Sequence, residues 1–309
     1  MRVFVTGATG VIGRRVVPLL VGLGHQVTGL GRTPAGCASL ERWGATAARV
    51  DLFHAEALRA TLHGNDAVVN LATHIPSSST RMMVRWCWRE NDRLRREGSA
   101  RLVDAAMATN VGRFVQESFA PIYEDGADLR IDEHWPQRPV PYNRTVLDAE
   151  RSAARFGAAG GRATVLRFAY FYGGDSRVLK EMAGMIAKGW APLPGTRSSF
   201  VSSISHDDAA SAVVAALDAP GGTYNVTDDV PLTRGEWVDA FADAMGLKRP
   251  KPLPYWMVAL GGRTMELLGR SQRMSNARFR MAAGWAPRWP SARDGLQEVA
   301  AEWRDSAVS

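Results

Sequence analysis

The sequence predicts a doubly wound parallel α/β sheet followed by a smaller, mostly helical C-terminal lobe. Three observations carry this expectation. Arg2 to Val5 is a short apolar run rich in β-branched and aromatic residues, and Gly7, Gly10 and Gly13 follow it three apart. Val11 to Leu23 then places apolar residues at helical spacing: Val11, Ile12, Val16, Val17, Leu19, Leu20 and Leu23. Further apolar runs alternate with helical patterns as far as Val226, and helical patterns dominate after Pro231.

Strand, glycine turn and helix in that order open a dinucleotide-binding βαβ unit, the start of a Rossmann sheet. Gly7 permits the tight turn, Gly10 lets backbone approach a pyrophosphate, and Gly13 lets the helix pack close to the strand. The helix N-terminus adds free N–H groups and a partial positive charge for the phosphates. A purely structural turn would not need both flanking elements. Thr6, Gly7, Thr9, Gly10, Val11, Ile12 and Gly13 are therefore the expected first cofactor-binding residues.

The remaining elements follow in order. Strands are expected at Gln26–Leu30, Ala47–Asp51, Ala67–Ala72, Arg113–Glu117, Ala163–Phe168 and Thr223–Val226. Ser77 to Glu90 reads SSSTRMMVRWCWRE. It is either an aromatic, Met-rich cap over a site or an amphipathic helix packed on the domain. Helices are expected at Arg93–Thr109, Tyr142–Phe156, His206–Leu217, Thr233–Met245, Tyr255–Leu268 and Asn276–Ala283. This assigns residues 1–174 to the cofactor domain, with 201–228 returning to it. Residues 175–200 and 229–309 form the substrate lobe.

The 309 residues suffice for one large core or two modest ones, and 46% apolar with 22% charged residues is ordinary for a globular protein. The net charge is +7, yet Lys180, Lys188, Lys248 and Lys251 are the only lysines among 38 basic residues. The arginines are spread rather than clustered, which argues against a nucleic-acid patch. Cys37 and Cys87 match no metal spacing and are expected as free thiols in a reducing cytoplasm. The first residues already form a core strand, so no signal peptide is expected, and no apolar run approaches the roughly 18 residues of a membrane span.

The order of motifs resembles the extended, atypical short-chain dehydrogenase/reductases of the NAD-dependent epimerase/dehydratase family. The motifs are TGxxGxxG at the N-terminus, Asp51-Leu52, VVNLAT at Val68–Thr73, and FVQESFAPIY at Phe114–Tyr123. Tyr142 with Glu150 eight residues later, LRFAYFYGG at Leu166–Gly174, SHDDAASAV at Ser205–Val213, and TYNVTDD at Thr223–Asp229 complete the series. The resemblance implies adenine contacts at Asp51 and Leu52, and further cofactor contacts at Leu71, Ala72, Thr73, Tyr142 and Phe168. It implies substrate contacts at Trp86, Trp88, Tyr123, Tyr170 and Arg273, with His74 at a strand end facing the nicotinamide. It also implies a homodimer built through Arg93–Thr109 and Tyr142–Phe156. Where NAD-preferring relatives carry an acid for the ribose hydroxyls, this chain has Gly31 and then Arg32. Arg32 can pair with a 2′-phosphate, so NADP(H) is expected rather than NAD(H).

The family's reaction centre is a Ser or Thr, a Tyr, and a Lys four residues after the Tyr. Here the Tyr is Tyr142, but the Lys place is Val146. The Ser place, counted back from Tyr123, is Phe119, with Ser118 one residue earlier. A Tyr without the Lys cation keeps its proton near pH 7 and serves as a donor rather than a base. This favours reduction by NADPH of a small, largely apolar or aromatic metabolite, in specialised metabolism. Ser118, Glu117 at a strand end, and His74 are the other candidate acids or ligands. Tyr170 stands where sugar-nucleotide enzymes of the family carry Asn, which argues against such a substrate. A lyase, isomerase or cyclase with unconsumed cofactor, or a silent nucleotide sensor, stays open at this point. No metal, nucleic acid or membrane partner is expected.

Overall fold

Seven parallel strands form the central sheet of a computed structural model that describes residues 1–76, 78–252 and 262–308. They are β1 (Arg2–Thr6), β2 (Gln26–Leu30), β3 (Thr46–Ala48), β4 (Ala67–Asn70), β5 (Arg113–Phe119), β6 (Arg162–Phe168) and β7 (Gly222–Val226). Their order is β7-β6-β5-β4-β1-β2-β3, so the chain reverses direction between β1 and β4. In such sheets ligands bind in the crevice at that switch point, beyond the carboxyl ends of the strands. The register aligns those ends: Thr6 lies opposite Asn70, and Asn70 opposite Gln116.

Helices cover both faces, as continuous apolar strands require. On one face α1 (Gly13–Gly22) packs Val16, Val17 and Leu20 with Val3 and Val5. Below, α2 is Pro34–Arg42, α3 Ala55–Leu62, α4 Ser99–Ala108, α5 Val146–Ala158, α6 Arg177–Ala187, α7 His206–Ala216 and α8 Arg234–Ala244. α7 shares the face of α1 through Ala209 and Val213. α3, α4 and α5 cover the other face, packing Leu58, Leu102, Val103 and Phe156 on Phe4, Val68 and Phe114. A third core joins α6, α8 and the helix at Ala292–Val308 through Leu179, Ile186, Trp237, Phe241 and Leu296. A two-residue ladder of Arg130–Ile131 with Arg273–Met274 brings Met274, from the C-terminal part of the chain, into the core of the sheet.

Several boundaries differ from the sequence expectation. α2, α3 and α6 were not expected, although Thr33 caps α2 by accepting from the Gly36 N–H and Pro34 opens it. β4 ends at Asn70, two residues early, because the Asn70 carboxamide turns to its neighbours on both sides. The expected helix Arg93–Thr109 is interrupted by a π-turn at Leu94–Gly98 before α4 begins. Tyr142 precedes α5 rather than opening it. Asn143 accepts from the Val140 N–H and donates to the Pro121 carbonyl, which holds the approach to α5 as a turn. Of the expected helix Tyr255–Leu268, the part before Gly262 lies outside the described residues, and Gly262–Gly269 is helical.

Candidate active site

The glycine turn is built by its neighbours. Gly7 has φ of +63°, and a Cβ there would overlap the Leu71 carbonyl of the adjoining strand. A Cβ at Gly13 would overlap the Gly7 carbonyl, so helix and strand close only with glycine at both places. The Gly10 N–H bonds the Gly7 carbonyl at 2.9 Å, and the Arg14 N–H of α1 bonds the Gly10 carbonyl at 3.0 Å, which joins the turn directly to the helix start. Thr6 donates to Asn70 Oδ1 at 2.6 Å, and Asn70 Nδ2 donates to Gln116 and Ser99 at 2.9 and 3.1 Å. This buried quartet fixes the carboxyl ends of β1, β4 and β5. Asn70 escaped notice in the sequence, although a lone polar residue in an apolar strand was the available signal.

Along the crevice, Leu71 is buried, Ala72 and Thr73 are half-buried, and Thr9 and Val11 are exposed. Ile12 is half-buried and packs on the core behind the turn. Arg32 is exposed just after β2, and the Gly36 position beside its turn lies next to the Thr9 side chain. The adenosine-ribose side and the pyrophosphate side of a dinucleotide would therefore meet adjoining turns. At the third strand, Asp51 accepts from the Phe53 N–H at 2.9 Å and Leu52 is buried. The tight glycine cradle, the helix start and the exposed Arg32 fit a nicotinamide dinucleotide. Phe168, expected among its contacts, is instead fully buried at the end of β6 against Phe171.

Past the crevice, Phe119, Tyr142 and Tyr170 are half-buried. Phe119 meets Tyr170 edge-on at 5.7 Å, and Tyr142 lies 4.9 Å from the ring of Trp88. Trp88 is buried, its indole N–H on the Met82 carbonyl, whereas Trp86 is 67% exposed beneath Arg89. The Ser78–Trp88 region is thus split: Trp88 backs the site and Trp86 faces solvent. Burial pushes the Tyr142 phenol well above its ordinary value, with Tyr170 adding to the rise and Arg95 and Arg270 opposing it. Burial likewise pushes Tyr170 up to about 12, and its hydroxyl has no partner. Val146, at the expected Lys place, is buried at the start of α5.

The other candidates are engaged. Glu117 accepts from Arg95 at 3.0 and 3.4 Å. His74 is exposed; its backbone N–H, not its ring, is held, by Asn91. Ser118 is fully buried and donates to Glu150 at 2.5 Å. Glu150 takes a bidentate bond from Arg167 at 2.6 and 2.8 Å, and Arg167 donates to the Tyr123 hydroxyl at 2.9 Å. Tyr123 in turn donates to Asn225 at 2.7 Å. Tyr123 is 0% exposed, so this expected substrate residue is a strut between strand ends. Arg273 lies over the Phe200 ring and donates to the Asp128 carbonyl. Arg270 is the arginine near both tyrosines, bonding the Tyr123 and Arg138 carbonyls and Glu266. Nothing in the sequence separates Arg270 from its neighbours. Among the described residues no His, Cys, Asp and Glu cluster could hold a metal, and no helix is long and apolar enough to cross a membrane.

Fold and site together define a nicotinamide-dinucleotide enzyme of the oxidoreductase and epimerase class. Residues 3–227 match the model of the NAD dependent epimerase/dehydratase family, and the chain belongs to that family. A Streptomyces sp. relative, a 3-diazoavenalumate denitrifying reductase, is 32% identical over 96% of this chain and 99% of its own. A 2-alkyl-3-oxoalkanoate reductase of Shewanella oneidensis is 24% identical over 89% of this chain and 76% of its own. Among solved structures, the human epimerase family protein SDR39U1 with NADPH superposes with a TM-score of 0.79. It is 25% identical and covers 97% of this chain and 99% of its own.

Proposed function

We propose that this protein is an NADPH-dependent reductase of a small aromatic or largely apolar metabolite. The observation that carries the reading is Tyr142. Its buried phenol lies above the ordinary tyrosine range with Val146 where a lysine would lower it. Such a group keeps its proton near pH 7, so it does not act as a base and gives the proton only to an oxygen more basic than its own phenolate, as the alkoxide left by hydride addition is. NADPH supplies the hydride. Tyr142 donates the proton to the developing substrate oxygen, Trp88 backs the tyrosine, and Phe119 with Tyr170 shapes an aromatic wall. Arg32 and the absence of an acid near Gly31 support NADPH over NADH.

A second reading rests on Phe119, which leaves no hydroxyl at the place of the family's oxygen clamp. The 32% identical relative is a denitrifying reductase of a diazo compound. Hydride addition to an aryl-bound diazonium group expels dinitrogen and forms a C–H bond, with no proton donor in the balance. A cytoplasmic, soluble enzyme of specialised metabolism would suit either substrate.

The test is NADPH oxidation followed with aryl ketones and aryl diazonium salts, using wild type and Tyr142→Phe. Ketone reduction should fall at least about a hundredfold in Tyr142→Phe with cofactor affinity unchanged. Diazonium reduction should persist. Consumption of NADPH with neither class, against product formation without consumption, would move the enzyme to a lyase or isomerase chemistry.

A further inference from the structure

The carboxyl ends of β2 and β3 carry a second unspent cation besides Arg32. The two strands pair in parallel with Leu30 opposite Ala48, and the Gly31 N–H bonds the Ala48 carbonyl at 3.0 Å. Carried one residue past β3, this register sets Arg49 beside Gly31, next to Arg32 in space. Neighbouring strands lie about 4.8 Å apart, a gap that two arginine side chains span easily. Both arginines are exposed, and among the described residues neither has an ion pair or a side-chain hydrogen bond. The first acid after Arg49 is Asp51, and its carboxylate is turned to the Phe53 N–H. Gly31 itself has little room for a side chain. A Cβ there would lie 2.7 Å from Cys37 Sγ, and 3.2 and 3.3 Å from the backbone N and Cα of Cys37, which belong to α2 and cannot swing aside. The Cys37 thiol donates to the Gly31 carbonyl at 3.6 Å, which holds the first turn of α2 against the end of β2. Position 31 is where an acid would meet the ribose hydroxyls, so the packing of α2 keeps that acid out. The two guanidiniums flank a strand end that has no carboxylate of its own.

We propose that Arg49 is a second contact for the 2′-phosphate of NADPH, across the strand pair from Arg32. The inference rests on the NADPH reading above. A phosphate monoester carries about −1.5 to −2 charges at pH 7, more than one guanidinium neutralises. Two guanidiniums on neighbouring strand ends match that charge, and each offers parallel N–H donors to the phosphate oxygens. The ribose of NADH has only hydroxyls at this place and gains little from either cation. In sequence Arg49 is one more arginine at a strand end; the pairing of β3 with β2 is what brings it beside Gly31.

The test uses two cofactor fragments, adenosine 2′,5′-bisphosphate and 5′-AMP, and needs neither substrate nor turnover. In calorimetric titration wild type should bind the bisphosphate more tightly than 5′-AMP. Arg49→Ala should weaken the bisphosphate about tenfold and leave 5′-AMP unchanged, and Arg49→Lys should restore part of the loss. Rising salt should cost wild type more affinity for the bisphosphate than it costs Arg49→Ala. Arg49 has no bond to lose among the described residues, so the variant should melt as wild type does. Bisphosphate affinity unchanged in Arg49→Ala, or an equal loss for both fragments, overturns the assignment of Arg49. If wild type prefers the bisphosphate and only Arg32→Ala removes the preference, the NADPH reading stands and Arg49 falls. If wild type binds both fragments equally, the NADPH reading itself falls.

Discussion

We propose that Arg32, more than any other side chain, decides which dinucleotide the crevice prefers. Arg32 follows β2 with no acid nearby, and its turn lies against the glycine turn through Gly36 and Thr9. A charge-assisted bond is worth about 1.5–3 kcal/mol. Arg32→Ala should therefore weaken NADPH roughly ten- to a hundredfold and leave NADH nearly unchanged, as read by calorimetric titration. Equal affinity of wild type for the two cofactors would end this claim. At this scale the sequence was uneven. Glycines declare themselves because only they fit the turn, and Val146 declares a loss because Lys drifts to Arg in this chain, not to Val. Arg95 did not, since Arg93, Arg95 and Arg96 sit within four residues and only the π-turn decides which one is buried. Ser118 misled because a hydroxyl on a strand end reads the same whether it faces the crevice or a buried Glu.

At the scale of elements, strand ends are held by polar struts rather than by apolar packing alone. Arg167 on β6 and Glu150 on α5 form a bidentate pair with side-chain exposures of 5% and 12%. Burial and this pair act oppositely on Arg167, and the pair prevails, raising the guanidinium above its ordinary value. Removing one partner of such a pair costs about 3–5 kcal/mol. Arg167→Met should lose that much by urea unfolding, and Arg167→Met with Glu150→Leu should regain part of it. A single variant as stable as wild type would show the strut to be dispensable. Element type was legible wherever apolar period and length agreed, as in all seven sheet strands. The short helices α2 and α3 were not, because eight or nine residues carry too few turns for the period to show. The interruption at Leu94–Gly98 was invisible because its five residues, LRREG, hold a single apolar side chain, too few to show a change of period.

For the whole molecule, pH and self-association are the accessible observables. His206 at the start of α7 is driven down to about 3, first by burial and then by Arg15. It is neutral in the folded protein, so its Nδ1–H donates to Asp175 at 2.7 Å. Asp175 also pairs with Arg14 and Arg15 of α1. An unfolded histidine titrates near 6.5. Between pH 6.5 and 3 the unfolded chain therefore binds the extra proton, and stability falls as pH drops through that window and is level above it. Melting curves from pH 8 to 4 should show this decline for wild type and a smaller one for His206→Asn. The outer faces of α4 and α5 carry Asp104 with Arg155 at 2.6 Å, and the π-turn before α4 carries Arg96 with Asp148 of α5 at 3.6 Å. We propose that these faces pair in a homodimer. A charged interface of this kind should loosen as salt rises. Light scattering that gives one species near the chain mass of 33.6 kDa at low salt would rule it out.

The strut through Ser118, Glu150, Arg167, Tyr123 and Asn225 also limits how this sequence can drift over generations. Each member satisfies the next, so a first substitution leaves a stranded charge or hydroxyl before a second can compensate. With folded proteins only about 5–15 kcal/mol from unfolding, that intermediate forfeits a large share of the margin. Descendants of this chain should keep the set whole or exchange Glu150 and Arg167 together for apolar residues. The aromatic wall at Phe119 and Tyr170 carries no such bond between its members and is free to change one residue at a time. On the proposed reading of the wall as a substrate contact, new substrates are reached by single steps there while the scaffold behind it stands still.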